Sequence, residues 1–433
     1  LQCMTYRFYQ WRNWWILALA FMVVFFHRYS TAVVTDDLAR DMELTGTQIS
    51  NLGSMYFYAY ALMQLPSGLL SDFLGPRRTV TVGMLLAGVG AILFGLAPGI
   101  NLAYYARLLV GLGVSVVFIS LLKIQSVWFA PERFATMTGF ASFVGNIGAV
   151  LATTPLAMLV LAIGWRQSFV AMGALSMLLV VATWLFVLDS PAKVGLEGAG
   201  QKQNRPRFGL WQGIRRVIRV PGTWINFVII AGLMGGVMSF SSVWGVPYLM
   251  QVYGFDKAQA SQYVLMLNMG ILVGSFFVGM VADKLGKKKP LIIGGCMGLT
   301  FFWLYIVVFA QGMPPVWLLT PLYFSGGILG VVYVLCFASV KEVNHPELSG
   351  TATGVVNIAG FLAASVANLA FGWCLDKVWD GKLVDGVRFY GQTGFQQAMI
   401  ILVAFAALAL AASFLLPEKR RNSSLGHYAE SHK

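Results

Sequence analysis

Apolar stretches long enough to cross a bilayer dominate this chain and leave it little choice of fold. A helical span takes about 20 mainly apolar residues. Twelve such stretches run near residues 14–35, 50–70, 79–98, 102–126, 136–160, 167–188, 222–248, 259–281, 290–311, 316–339, 350–374 and 395–416. Only 11% of the 433 residues are charged, against about 25% in soluble domains. The chain therefore reads as an all-α polytopic membrane protein with 12 transmembrane helices. That excludes a soluble enzyme, a nucleic-acid-binding domain and a disordered chain. The apolar run from Trp14 is too long for a cleavable signal peptide and lacks a small-residue cleavage site, so none is expected; Met4 is a candidate start.

The formal charge of +13 reports topology. With the N-terminus inside, the inner segments hold 21 Lys/Arg and the outer loops hold 6. The positive-inside rule then places both termini in the cytoplasm, across a bacterial-type inner membrane. Residues 190–220 form the one clear composition shift, with seven Lys/Arg against the single Glu197. They are read as a cytoplasmic basic linker between an N-terminal bundle (1–189) and a C-terminal bundle (221–417), followed by a tail (418–433). Phe208 to Val220 is either a basic amphipathic helix on the membrane surface or a solvated connection. Cys3, Cys296, Cys336 and Cys374 are scattered, with no CxxC pair. Buried thiols are expected, with no metal, disulfide or cofactor.

The two halves repeat. Gly68-x-x-x-Asp72-x-x-Gly75-Pro-Arg77-Arg78 follows the second stretch, and Gly279-x-x-x-Asp283-x-x-Gly286-Lys287-Lys288-Lys289 follows the eighth, 211 residues later. Pro131-Glu132 and Thr138-Gly139 precede the fifth stretch. Pro346-Glu347 and Thr353-Gly354 precede the eleventh, 215 residues later. A repeat of six and six places a substrate site near the midplane, between the halves.

These residues resemble the major facilitator superfamily. Gly68–Arg78 and Gly279–Lys289 resemble its loop signatures, and Arg107-x-x-x-Gly111-x-Gly113 resembles its fourth-span motif. The resemblance implies two pseudo-symmetric six-helix bundles and alternating access. It also implies a conformational latch at Gly68, Asp72, Gly75, Arg77, Arg78, Gly279, Asp283, Gly286 and Lys287. An Asp at a helix end is expected to pair with basic loop residues there. Arg28 in the first span, and Arg107, Lys123 and Trp128-Phe-Ala-Pro-Glu-Arg133 around the fourth, are similar to anion:cation symporters and organophosphate antiporters. Symporters of that kind often carry acidic residues where this chain has His27 and Val114.

All 17 Asp/Glu fall in loops, tails or span edges, whereas Arg28 and Arg107 fall inside spans. A cation at the bilayer centre costs roughly 2.5–3.5 kcal/mol on insertion scales, which a bound anion offsets. Both arginines lie at similar depth, so they are expected to clamp one anionic substrate with their planar forks. The alternative for Arg107 is a bond to backbone carbonyls of the first span. Lys123 is a further substrate candidate or a residue that snorkels to the interface. Tyr60, Asn146 and Asn357 are the neutral candidates; Tyr56, Tyr60 and Gln64 share a helix face. His27 is the proton-coupling candidate, or a structural histidine. Trp244 and Tyr248 are either ligand contacts or members of an interfacial aromatic belt.

The leading expectation is a secondary active transporter, not an enzyme, for a small organic anion such as a carboxylate, sugar acid or organophosphate. Its partners are that anion, H+ or Na+ as coupling ion, and the lipid bilayer. It is expected to bind no nucleic acid and to work as a monomer. The alternatives are a drug or siderophore exporter, or a non-transporting sensor of the same fold.

Overall fold

The computed structural model describes residues 2–130, 133–194, 210–285, 287–345 and 348–417, without the side chains of 2–4, 135, 193–194, 210 and 283. Pro131, Glu132, Gly286, Pro346, Glu347, most of the linker and the C-terminal tail lie outside the described residues.

Twelve helical runs follow one another. The first, α1, is Gln2–Tyr29 continued by Thr31–Met42 after a 46° bend. Then come α2 (Gly46–Leu74), α3 (Pro76–Gly95) and α4 (Ile100–Trp128). The fifth, α5, is Phe134–Leu151 continued by Thr154–Ile163 after a 41° bend, and α6 is Trp165–Phe186. The second half holds α7 (Pro221–Tyr253), α8 (Lys257–Leu285), α9 (Lys289–Phe309), α10 (Val316–Val343), α11 (Ser349–Val378) and α12 (Gly391–Phe414). Nine of these are long and apolar enough to span a membrane, and counting each bent pair as one span makes eleven. The remaining one, α2, is diluted by Ser50, Asn51, Ser54, Gln64 and Ser67; of these Ser50, Ser54 and Gln64 bond to the other half.

Within the first half, α1 packs on α4, α5 and α6, while α3 packs on α4 and α6. Within the second, α7 packs on α11 and α12, α8 on α10, and α9 on α10 and α12. The halves meet along α2 against α11, α1 against α7, and α5 against α8. Contact between α1 and α5 requires a glycine: a Cβ on Gly148 would sit 1.9 Å from the Met22 carbonyl oxygen.

Three expectations change. First, α1 does not stop near residue 35. Its bend at Ser30 lets the helix run on to Met42, so Asp36, Asp37 and Asp41 ride on a helix rather than a loop. Second, Trp244 and Tyr248 are not belt residues. Both are buried, with Trp244 Nε1 donating to Ser50 Oγ (3.1 Å) and Tyr248 to the Gly312 carbonyl (2.8 Å). Third, the described part of the linker helix, Leu210–Val217, ends three residues short of Val220. It buries Gly213 and Val217 and exposes Trp211, Arg215 and Arg216. The thiols of Cys296 and Cys336 are buried, and that of Cys374 is half-buried.

Candidate functional site between the two halves

The bend in α1 positions both intramembrane arginines. There the His27 carbonyl accepts from Ser30 Oγ (3.3 Å) and from Arg107 Nη2 (3.1 Å). Arg107 is 1% exposed, with its guanidinium against the rings of Tyr56 (5.5 Å) and Phe94 (5.7 Å). Of the two readings open for Arg107, the geometry therefore realises the backbone one. The His27 ring is 0% exposed, and neither of its nitrogens has a hydrogen-bond partner among the described residues.

Arg28, one residue on, points into different surroundings. Its guanidinium stands 4.5 Å from the Phe25 ring, 5.2 Å from Tyr60 and 5.1 Å from Phe361. Phe361 belongs to α11, in the other half, and its ring lies 4.3 Å from that of Tyr60. The hydroxyls of Tyr29, Tyr56 and Tyr60 are hydrogen-bonding neighbours of the Arg28 guanidinium. Arg28 is 7% exposed, and no ion pair joins it to a carboxylate among the described residues. Faces of aromatic rings attract a guanidinium, and the buried Nε of Arg28 has no hydrogen-bond partner among the described residues. One turn further along α2, Asn357 Nδ2 of α11 donates to Gln64 Oε1 (2.9 Å).

Tyr56 stacks on Tyr60 at 5.9 Å, so Arg107 and Arg28 lean on successive rings of one tyrosine pair. They do not share a single open pocket face. The other candidates lie elsewhere. Asn146, nearly buried, donates to the Ser142 carbonyl of its own helix (2.8 Å). Lys123 donates to Asp72 Oδ1 and to the Ser71 carbonyl, both at 2.8 Å. It is thus the partner of Asp72, a place the resemblance assigned to loop residues. The loop is held differently: Asp189 Oδ1 accepts from the Arg77 N–H (2.8 Å), and the Arg77 guanidinium lies over Trp184 (4.8 Å) and donates to its carbonyl. Gly75 turns there at φ +81°, a conformation that favours glycine. Gly68 and Gly279 have open space where a Cβ would stand. In the second copy of the motif, Lys288 pairs with Glu342; the Asp283 side chain and Gly286 lie outside the described residues, and Lys287 makes no ion pair among them.

Sequence reasoning missed a second set of contacts between the halves. Call the end of the molecule carrying the α1–α2, α7–α8 and α11–α12 connections the distal face, and the opposite end the terminal face. On the distal face Asp376 accepts from Gly46 N–H (2.8 Å), Thr47 N–H (2.7 Å) and Thr47 Oγ1 (2.6 Å), and from Arg388 and Tyr390 of its own half. Lys257 pairs with Asp37. Arg40 donates to the Asp385 carbonyl (3.3 Å), Thr35 to that of Val243 (3.3 Å) and Ser54 to that of Ser365 (3.2 Å). Among the described residues, no hydrogen bond joins the halves nearer the terminal face than Gln64–Asn357. An apolar cavity of about 210 Å³ lies between α1, α5 and α6, away from the Arg28 cage.

Two sets of six helical runs, mostly of membrane-spanning length and joined by hydrogen bonds at one end, define a polytopic membrane-protein architecture. The chain belongs to the Major Facilitator Superfamily, whose model matches residues 17–368. It is 22% identical to a probable sulfoacetate transporter of Cupriavidus necator, over 84% of this chain and 86% of that protein. It is 24% identical to a membrane sensor protein of Escherichia coli, over 86% and 87%. Its fold matches a bacterial homologue of the human lysosomal transporter Spinster, with a TM-score of 0.79, 18% identity and coverage of 94% and 97%.

Proposed function

We propose that this integral membrane protein is a secondary active transporter of a small organic anion, and that Arg28 is the cation that receives the anion. One observation carries the reading: a guanidinium sits nearly buried between the halves, faced by rings from both, with no carboxylate paired to it. An anionic oxygen in the plane of that fork supplies what the cage withholds. Tyr60 and the Gln64–Asn357 pair line the way to it from the terminal face. The bundles are assigned to residues 1–189 and 221–417, with a cytoplasmic linker between them. The excess of Lys/Arg in the inner segments puts the terminal face in the cytoplasm, which makes the sealed distal face external and the structure inward-facing.

A thermal-shift screen against carboxylates, sulfonates and organophosphates tests this. A ligand at 100 times its Kd adds about 2.7 kcal/mol to a two-state protein, and Arg28→Lys is expected to lose that shift because an ammonium lacks the planar fork. An unchanged shift in Arg28→Lys rejects the bidentate site. The relative named as a sensor supports a second reading, in which the chain binds its anion and signals. Binding without flux in proteoliposomes selects the sensor.

A further inference from the structure

The first turns of α1 precede the apolar run that begins at Trp14, and one face of them is bonded to the first half. Tyr6 Oη and Gln10 Nε2 donate to the Trp128 carbonyl at the end of α4 (2.7 and 2.6 Å), and Asn13 Nδ2 donates to the Leu188 carbonyl just past α6 (3.3 Å). The opposite face points away from the protein. Phe8, Trp11, Trp15 and Leu19 are all exposed. Their spacing of three, four and four residues sets them in one row, about 16 Å long. The row starts beyond the apolar run and ends inside it, so it crosses the membrane surface at its two tryptophans, the ring type that settles at headgroup level. Arg12 lies on the same face, four residues from Phe8 and three from Trp15.

Arg12 is half-buried and held in place. Its Nη2 donates to the Phe186 carbonyl in the last turn of α6. Its guanidinium stands 4.7 Å from the Tyr9 ring, 5.7 Å from Phe8 and 5.9 Å from Phe186. Its Nε is buried without a hydrogen-bond partner, and no carboxylate pairs with it among the described residues. Leu185 and Phe186 are exposed beside it. We propose that this corner, between the row on α1 and the end of α6, binds one anionic phospholipid of the leaflet at the terminal face. Arg12 receives the phosphate oxygens, as a planar fork suits, and the acyl chains run along Trp15 and Leu19 into the bilayer. The row is what makes the occupant a lipid rather than a free phosphate, because it joins the cation to the hydrocarbon. The charges nearby make it an anionic lipid. Arg7 adds a second exposed cation on the same turns. The ammonium of a zwitterionic headgroup would need a carboxylate, and Asp189, which follows α6, already accepts from the Arg77 N–H.

The site is independent of the Arg28 cage and of what the protein carries. Native mass spectrometry of the purified chain in a neutral detergent, titrated with phosphatidylglycerol or phosphatidylcholine, tests it. The parent is expected to bind a first phosphatidylglycerol more tightly than phosphatidylcholine. Arg12→Gln is expected to weaken that first phosphatidylglycerol about fivefold, the share one basic residue contributes at an anionic surface, and to leave phosphatidylcholine unchanged. Arg78→Gln removes an exposed cation of the same face that lies off the row, and is expected to keep the first Kd within about twofold. A parent without preference between the two lipids overturns the site. An unchanged Kd in Arg12→Gln does so too, and leaves Arg12 as a cap on the carbonyls of α6. An equal loss in Arg78→Gln assigns the preference to the overall charge of the face and also overturns it. A second measurement needs no variant. Phosphatidylglycerol with a diazirine in its acyl chain is irradiated with the parent, and cross-links are expected in the peptides carrying Trp11 to Leu19 and Trp184 to Phe186. Cross-links confined to other helices, or displacement of the lipid by an equal concentration of inorganic phosphate, reject the lipid site.

Discussion

Arg28 and Arg107 reach similar depths, and depth along a helix is readable from residue number. Direction is not, once a helix bends. The 46° turn at Ser30 gives Arg107 a backbone carbonyl to hold and turns Arg28 toward α11, so two arginines that look like one clamp acquire different tasks. Phe361 was invisible to sequence reasoning because a phenylalanine in an apolar run carries no chemical mark; only its placement 5.1 Å from the Arg28 guanidinium gives it a role. Phe361→Leu is expected to weaken anion binding roughly 2- to 30-fold, the equivalent of the 0.5–2 kcal/mol a cation–π contact contributes, while Phe361→Tyr keeps the ring face and the affinity. Calorimetric titration checks both. Lys123 gives the opposite expectation. Its ammonium is committed to Asp72 and the Ser71 carbonyl, so Lys123→Met should leave the Kd within about twofold, below the roughly 1.4 kcal/mol that marks a tenfold change. A tenfold loss would place Lys123 in the site. Because Asp72 is 59% exposed on its side chain, breaking this pair is also expected to cost little stability, about 0.2–1 kcal/mol.

At the scale of elements, length and hydropathy made nearly every span legible, because a bilayer demands about 20 apolar residues whatever their neighbours. The polar face of α2 was legible too: Tyr56, Tyr60 and Gln64 recur every four residues, and the structure turns that face to α1 and α11. What hydropathy could not show is how far a helix continues past the apolar core. The last turns of α1 are polar, so Asp36 and Asp37 read as loop residues, although a helix carries them into the seal. Helix proximity was equally hidden, since glycine is common throughout such a chain. Gly148 is where proximity is absolute. A methyl group there meets the Met22 carbonyl oxygen at 1.9 Å, so Gly148→Ala must push α1 from α5 at a cost of about 1–3 kcal/mol. Gly139→Ala on the same helix meets nothing within 4 Å and is expected to change stability by less than about 0.5 kcal/mol. Thermal unfolding of the two variants in one detergent checks the contrast, and equal losses would mean that the α1–α5 contact is not set by Gly148.

For the whole molecule, the repeat of two halves was legible from the paired motifs, but the state in which the halves rest was not, because that state is set by contacts between residues far apart in sequence. Asp376 and Gly46 are 330 positions apart, and neither belongs to a motif. Among the described residues the cross-half hydrogen bonds run from the distal face as far as Gln64–Asn357, so access to the Arg28 cage is expected from the terminal face alone. A cysteine at position 357 reports on that access. Asn357 is only partly buried, and its amide bond to Gln64 is a single neutral contact, typically about 0.5–1.5 kcal/mol net, so Asn357→Cys should leave the fold intact. In inverted vesicles, where the terminal face meets the medium under the positive-inside orientation, a membrane-impermeant maleimide should label this cysteine, with the native cysteines replaced. In right-side-out vesicles it should not, and Asp37→Asn, by removing the acceptor of Lys257, should raise labelling there. Labelling confined to right-side-out vesicles would reverse the orientation of the whole chain. Equal labelling from both sides in the parent would show that the distal contacts do not seal the molecule.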